Sequence, residues 1–161
     1  MYTINKVYTF KNNGGVNGVL NMVSVNATDV RKNWSSCLDE VRKKPIFIKR
    51  THDFSVLMDV ECMNLLLGDV KLEYSKITEE DGSVVISGEN IDIVSSGATE
   101  QEAVDAFVND IMEYAQEFYE EFDFWSSAKN RKAHIPIVLK VLISNNKKEV
   151  EEMLECQNGR S

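Results

Sequence analysis

The sequence predicts an α+β fold: a small β-α-β-β-α module, then a three-stranded antiparallel meander packed on a long helix, then a helical C-terminal segment. Between Val23 and Leu67 apolar residues switch from helical spacing to strand alternation around Pro45. Further on, Glu80-Asp81-Gly82 joins two strand-like runs ahead of a helix start at Thr99. Charge marks the same division. Residues 1–69 hold nine Lys/Arg against seven Asp/Glu, residues 70–125 two against fifteen, and residues 126–161 seven against four, within a net charge of −8.

At 161 residues, 43% of them apolar and 9% aromatic, the chain can bury one medium core or two small ones. No apolar run approaches the roughly 20 residues that cross a bilayer, and MYTINKVYTFKNN lacks the apolar centre of a signal peptide, so the expectation is a cytoplasmic protein with no membrane contact. Cys37, Cys62 and Cys156 are odd in number, widely spaced and set in helical apolar patterns. They are expected as buried thiols in a reducing compartment.

Residues 1–22 hold a candidate strand, Val7 to Phe10, and the turn-rich KNNGGVNG, which form either a loose hairpin or an arm. The first module is placed at residues 23–68. It opens on the strand VSV, after which Asn26 or Thr28 caps a helix reaching about Lys44. Val30, Trp34, Cys37, Leu38 and Val41 make its core face, while Arg31, Lys32, Asn33 and Ser36 fall off that stripe. Arg42, Lys43 and Lys44 crowd the last turn, where cations complement the helix dipole. Pro45 ends the helix. A hairpin follows, IFIKR and FSVLMDV around Thr51-His52-Asp53, with Lys49 and Arg50 at its tip. Glu61 to Leu67 is expected as a short helix folding Cys62, Leu65 and Leu66 back onto the sheet.

The run from Ser24 to Leu67 resembles the N-terminal domain of the Phd/YefM antitoxins, whose helix reads A-[ST]-x-x-R-x-N-[FLW]-S-x-x-L-[DE]. The matching positions are Ala27, Thr28, Arg31, Asn33, Trp34, Ser35, Leu38 and Asp39. The resemblance implies a homodimer that binds operator DNA, represses its own toxin-antitoxin operon, and contacts DNA through an arginine early in the helix and another at the hairpin. Those positions are Arg31 and Arg50; the candidate DNA-binding set is Arg31, Lys32, Asn33, Lys49, Arg50 and Thr51. Arginine's planar fork of donors suits phosphate oxygens and the acceptor edge of guanine. The chain departs from the family at the hairpin turn, where Arg50-Thr51-His52-Asp53-Phe54 replaces the usual glycine-containing sequence. An alternative is an interaction module of antitoxin ancestry that no longer binds DNA, in keeping with the anionic total.

A second module is placed at residues 69–125. KLEYSKI is an edge-like strand, EDG a turn, SVVIS a second strand, and NIDIVSS a third with Ile91 and Ile93 on one face. Thr99-Glu100-Gln101-Glu102 is a capping box. The stretch from Val70 to Ile111 resembles a HicB-like antitoxin domain through E-x-D-G…G-x-[ST]-x-x-E-A, without that family's proline- and cysteine-containing segment. Val104, Val108, Ile111, Ala115, Phe118, Phe122 and Trp125 then recur with heptad-like spacing over a helix of roughly 40 Å. One meander is too small to cover it. The surplus packs on the C-terminal residues or a second copy, or it binds a cognate toxin protein through Phe118, Phe122, Phe124 and Trp125, where rings and carboxylates suit a basic surface.

In the last segment, residues 126–161, SSAKNRK reads as a loop. Pro136 favours helix for IVLKVLI, a buried strand being the alternative, and KKEVEEMLEC reads as a second helix ahead of a frayed QNGRS. No enzyme is expected. His52 and His134 lie in different modules, and no phosphate loop, HExxH or serine elbow occurs. Glu79, Glu80 and Asp81 cluster at a turn, and paired carboxylates can hold a divalent cation or do acid-base work, but no catalytic partner accompanies them. No cofactor is expected.

Overall fold

The computed structural model describes residues 24–157 and divides between Leu65 and Leu66 into two compact units. The candidate strand at Val7 to Phe10 and residues 158–161 lie outside the described residues. Together the two units hold two small sheets and several helices, an α+β fold.

In the first unit, β1 (Ser24–Asn26) leads into α1 (Ala27–Lys32) and α2 (Trp34–Val41), then the hairpin β2 (Ile46–Lys49) and β3 (Phe54–Leu57), and α3 (Val60–Leu66). The sheet order is β1-β2-β3, with β1 parallel to β2 and β3 antiparallel. Asn26 caps α1 by accepting from the Thr28 N–H at 2.9 Å. The single helix expected to Lys44 is instead broken at Asn33, whose backbone N–H (3.0 Å) and side-chain amide (3.1 Å) both return to the Asp29 carbonyl. An asparagine side chain competing for backbone groups is a known helix interrupter.

The break turns the second half of the stripe. Val30, Cys37, Val41 and Ile46 form the core with Val25, Ile48 and Leu57 packed on it. Trp34 and Leu38, expected there, are instead 50% and 44% exposed. The short helix also departs from expectation, since α3 buries no residue and Leu65 and Leu66 stand 84% and 70% exposed rather than folded onto the sheet.

The second unit contains a four-stranded sheet in the order β6-β5-β4-β7, built of β4 (Leu72–Thr78), β5 (Val84–Gly88), β6 (Val94–Gly97) and β7 (Leu154–Cys156). The meander is present, but its third strand begins at Val94, beyond Ile91 and Ile93. Those two sit in a tight loop where the Gly88 N–H donates to the Ile93 carbonyl at 2.9 Å, and Asn90 donates to the Lys71 carbonyl and accepts from the Glu73 N–H. Ile91 is buried all the same, as a loop anchor.

β4 is not an edge. The run KKEVEEMLEC forms only a five-residue helix, α7 (Lys147–Glu151), and then β7, which pairs parallel to β4 with Leu72 opposite Leu154 and Tyr74 opposite Cys156. Cys156 is therefore an exposed strand residue, not a buried helical thiol, while Cys62 is half-buried and Cys37 fully buried.

The acidic turn is explained by its own geometry. Gly82 has φ +88, open to glycine at little steric cost, and Asp81 Oδ1 accepts from the Ser83 backbone at 2.9 Å and its hydroxyl at 2.6 Å. Those two bonds hold the Asp81 carboxyl below its usual range. Among the described residues no group of three or more acidic, histidine or cysteine side chains is arranged to hold a metal ion.

Helix α4 (Glu100–Glu120) starts where the capping box places it: Thr99 Oγ1 accepts from the Glu102 N–H at 3.2 Å, and Glu102 reaches back to the Ala98 N–H at 3.0 Å. A Cβ on Gly97 would stand 2.4 Å from the Ala103 nitrogen, so glycine lets β6 run against the helix start. The long helix stops at Glu121 and restarts as α5 (Phe122–Ser127). A short 3-10 turn (Lys132–His134) leads into α6 (Ile135–Ile143), with Pro136 in its first turn. One core joins sheet, α4 and α6 through Leu72, Ile86, Phe107, Ile111, Phe118, Ile137, Val138 and Met153. The surplus stripe on α4 is thus covered in large part by the C-terminal residues. No described helix is long and apolar enough to cross a membrane.

Candidate functional site

Two surfaces carry the residues singled out above, one in each unit. In the first unit the parallel register places Asn26 opposite Lys49, so the start of α1 and the hairpin tip share one end of the sheet. Arg31 and Lys32 occupy the last turn of α1 and are exposed, and Asn33 is spent on the helix break. Lys49 ends β2 opposite Phe54, and the Arg50 N–H donates to the Asp53 carbonyl at 2.9 Å, closing a turn that exposes Arg50 and Thr51.

The neighbouring cations divide into two groups. Lys43 and Lys44 reach Glu40 at 3.4 and 3.2 Å, which holds that carboxyl below its usual range. Among the described residues Arg31, Lys32, Arg42 and Arg50 have no ion pair. Around them the module exposes apolar surface. Phe47 pairs across the strands with Val56, Phe54 lies on the same side, and the three are 36%, 42% and 44% exposed respectively.

In the second unit the aromatic residues separate by depth. Phe118 is fully buried, Phe122 and Trp125 are half-buried, and Phe124 is 67% exposed beside Tyr119 at 60%. Stacked and edge-to-face contacts tie them together: Phe118 to Trp125 at 6.3 Å, Phe118 to Phe122 at 5.7 Å, Phe124 to Trp125 at 5.3 Å, and Tyr119 to Phe122 at 6.4 Å. Tyr119, Glu120, Glu121, Phe122, Asp123 and Phe124 line a shallow cleft of about 630 Å³ at the helix break.

Behind this cluster lies a polar clamp that the sequence did not reveal. Arg131 pairs with Asp92 at 3.0 Å, donates to the Tyr114 hydroxyl at 3.4 Å, and lies 5.8 Å from the ring centroids of both Tyr114 and Trp125. Tyr114 and His134 Nδ1 are 2.7 Å apart. Burial, then the Arg131 charge, push His134 below its ordinary value, and burial pushes the Tyr114 hydroxyl up. Tyr114 is not among the heptad-like positions, and Arg131 and His134 lie 17 and 20 residues from it in sequence.

A family model described as PHD_like, antitoxin of toxin-antitoxin, RelE / RelB, TA system, matches residues 22–156. The chain belongs to this antitoxin family. The antitoxin is also similar to a solved structure, a crystal structure at 1.80 Å resolution of an antitoxin part of a proposed toxin/antitoxin system from Syntrophomonas wolfei subsp. wolfei. The two are 36% identical, the match covers 84% of this antitoxin and 99% of that chain, and the TM-score is 0.79. No curated protein matches the antitoxin.

Proposed function

We propose that this antitoxin is a non-enzymatic, dimeric repressor and toxin neutraliser: its Phd/YefM-like first module binds operator DNA and its HicB-like second module binds the cognate toxin. The observation that carries DNA binding is the set of exposed cations without an ion pair among the described residues, Arg31, Lys32 and Arg50, on a module whose Lys43 and Lys44 are already paired with Glu40. Lys49 and Thr51 flank them, and Asn33 shapes the helix end. Two copies of such a patch give one extended grip on DNA. The exposed Phe47, Phe54 and Val56 support dimerisation through the first module, since apolar surface on a module this small is stabilised by burial in a second copy.

Toxin binding is placed on the acidic aromatic face, with Phe124 in direct contact, Phe122 and Trp125 beside it, and Phe118 holding the cluster from beneath. The mechanism is stoichiometric, and a toxin bridging two dimers would alter repression. A second reading, a module that has lost DNA binding, is favoured by the net charge of −8 and the turn without glycine.

A gel shift with the upstream DNA across a salt series separates the two. Counter-ion release makes affinity fall steeply with salt, and each lost phosphate contact lowers that slope by about 1. Arg31→Ala and Arg50→Ala should each weaken binding and flatten the slope by about that much per contact. Unchanged affinity and slope in both variants would remove the proposed contact, and no shift with the parent chain would favour the second reading.

A further inference from the structure

The cleft at the end of α4 gathers Glu120, Glu121 and Asp123 with no Lys or Arg among its lining residues. A helix C-terminus carries roughly half a negative charge, and no Lys or Arg occupies the last turn of α4. Glu117, Glu120, Glu121 and Asp123 crowd the same place, and none is in an ion pair among the described residues. Two rings, Tyr119 and Phe124, stand exposed within the same cleft as Glu120 and Asp123. Carboxylates beside exposed rings suit a cation that is also flat and weakly hydrated.

The unit already shows this chemistry on its inner side. Arg131 lies over Tyr114 and Trp125 and pairs with Asp92. Two rings and a carboxylate hold one guanidinium. The outer cleft is lined by the same kinds of group, rings and carboxylates, and has no Lys or Arg among its lining residues. Lysine fits less well, because its compact ammonium is strongly hydrated and cannot lie flat on a ring.

We propose that the partner protein inserts an arginine side chain into the cleft lined by Tyr119 and Phe124, its guanidinium against the rings and its N–H donors on Glu120 and Asp123. This deepens, and rests on, the assignment of the acidic aromatic face to toxin binding. The partner surface is therefore an arginine among apolar residues rather than a diffuse basic patch.

The test pairs the full-length antitoxin with the protein encoded in the neighbouring reading frame. Affinity is measured by calorimetry while each surface arginine of that protein is replaced by lysine, against parent, Tyr119→Ala, Phe124→Leu and Glu120→Gln antitoxins. These side chains are exposed, and matching melting curves establish that each variant is folded. One Arg→Lys change should weaken binding about tenfold, and that loss should vanish against the Phe124→Leu chain, the signature of direct coupling. Retained affinity for all three antitoxin variants, or losses that simply add, overturns the arginine contact while leaving toxin binding in place. Self-association that the same variants abolish overturns it in favour of a second copy. Absence of binding to the parent chain removes the toxin-binding assignment itself, and the arginine contact with it.

Discussion

His134 shows how a single side chain ties fold to conditions. Its folded value lies below the ordinary 6.5 because burial and Arg131 both disfavour the charged ring. An unfolded chain therefore takes up a proton at higher pH than the folded one, and stability contributed by neutral His134 is full above about 6.5 and is lost as pH falls below it. The loss completes once pH passes the lowered folded value. Melting temperature should thus drop between pH 7.5 and 5.5, and His134→Gln, which keeps a partner for Tyr114, should flatten that drop; an unchanged slope in the variant would assign the effect elsewhere. None of this was legible in the sequence. His134 was visible only as a histidine far from His52, because the bond to Tyr114 spans 20 residues and depends on α4 and α6 packing side by side.

Elements with local causes were the legible ones. The Thr99 capping box and the Gly82 turn each depend on residues within one turn of chain, and each appears where its signal lies; α2 instead ends at Val41, short of the stop expected at Pro45. The misreadings have non-local causes. Val150 and Met153 have helical spacing, yet the chain leaves the helix after Glu151 because β4 offers an unpaired edge that three residues can complete. The candidate site divides along the same line. Arg50 at a turn was read from its neighbours, whereas the burial of Phe118 depends on α6 and could not be. β7 should be worth more than its length implies, since Met153 at its start is 4% exposed in the shared core and its carbonyl accepts from the Leu72 N–H at 2.9 Å. Met153→Ala should cost about 2–3 kcal/mol. In calorimetry this would lower the transition of the second unit alone; a parallel shift of both transitions would contradict the independence of the two units.

At the scale of the whole molecule, net charge differs between the units: residues 1–65 hold nine Lys/Arg against six Asp/Glu, and residues 66–161 nine against twenty. A chain cut after Leu67 should keep DNA binding at parent strength, or exceed it at low salt, because it loses the anionic half that repels DNA. It should also fail to protect cells from the neighbouring toxin. Full protection by the fragment would show that the acidic half is not needed for neutralisation. That the chain is an antitoxin was expected from resemblance and is borne out by the family match, while the four-stranded sheet of the second unit was not legible.

The parallel pairing of β4 with β7 also sets an order in time. Leu72 waits for Leu154, a separation of 82 residues, whereas Ser24 finds Phe47 after 23. The longer closure costs only about 1 kcal/mol more in chain entropy, so equilibrium stability barely notices it. Synthesis does. The first module has every strand it needs by Leu57, but the second cannot complete its sheet until nearly a hundred further residues have left the ribosome. In a nascent chain the described strands of the first sheet are thus all present before the acidic face has its last strand, and any partner that recognises that face must wait for that strand to arrive.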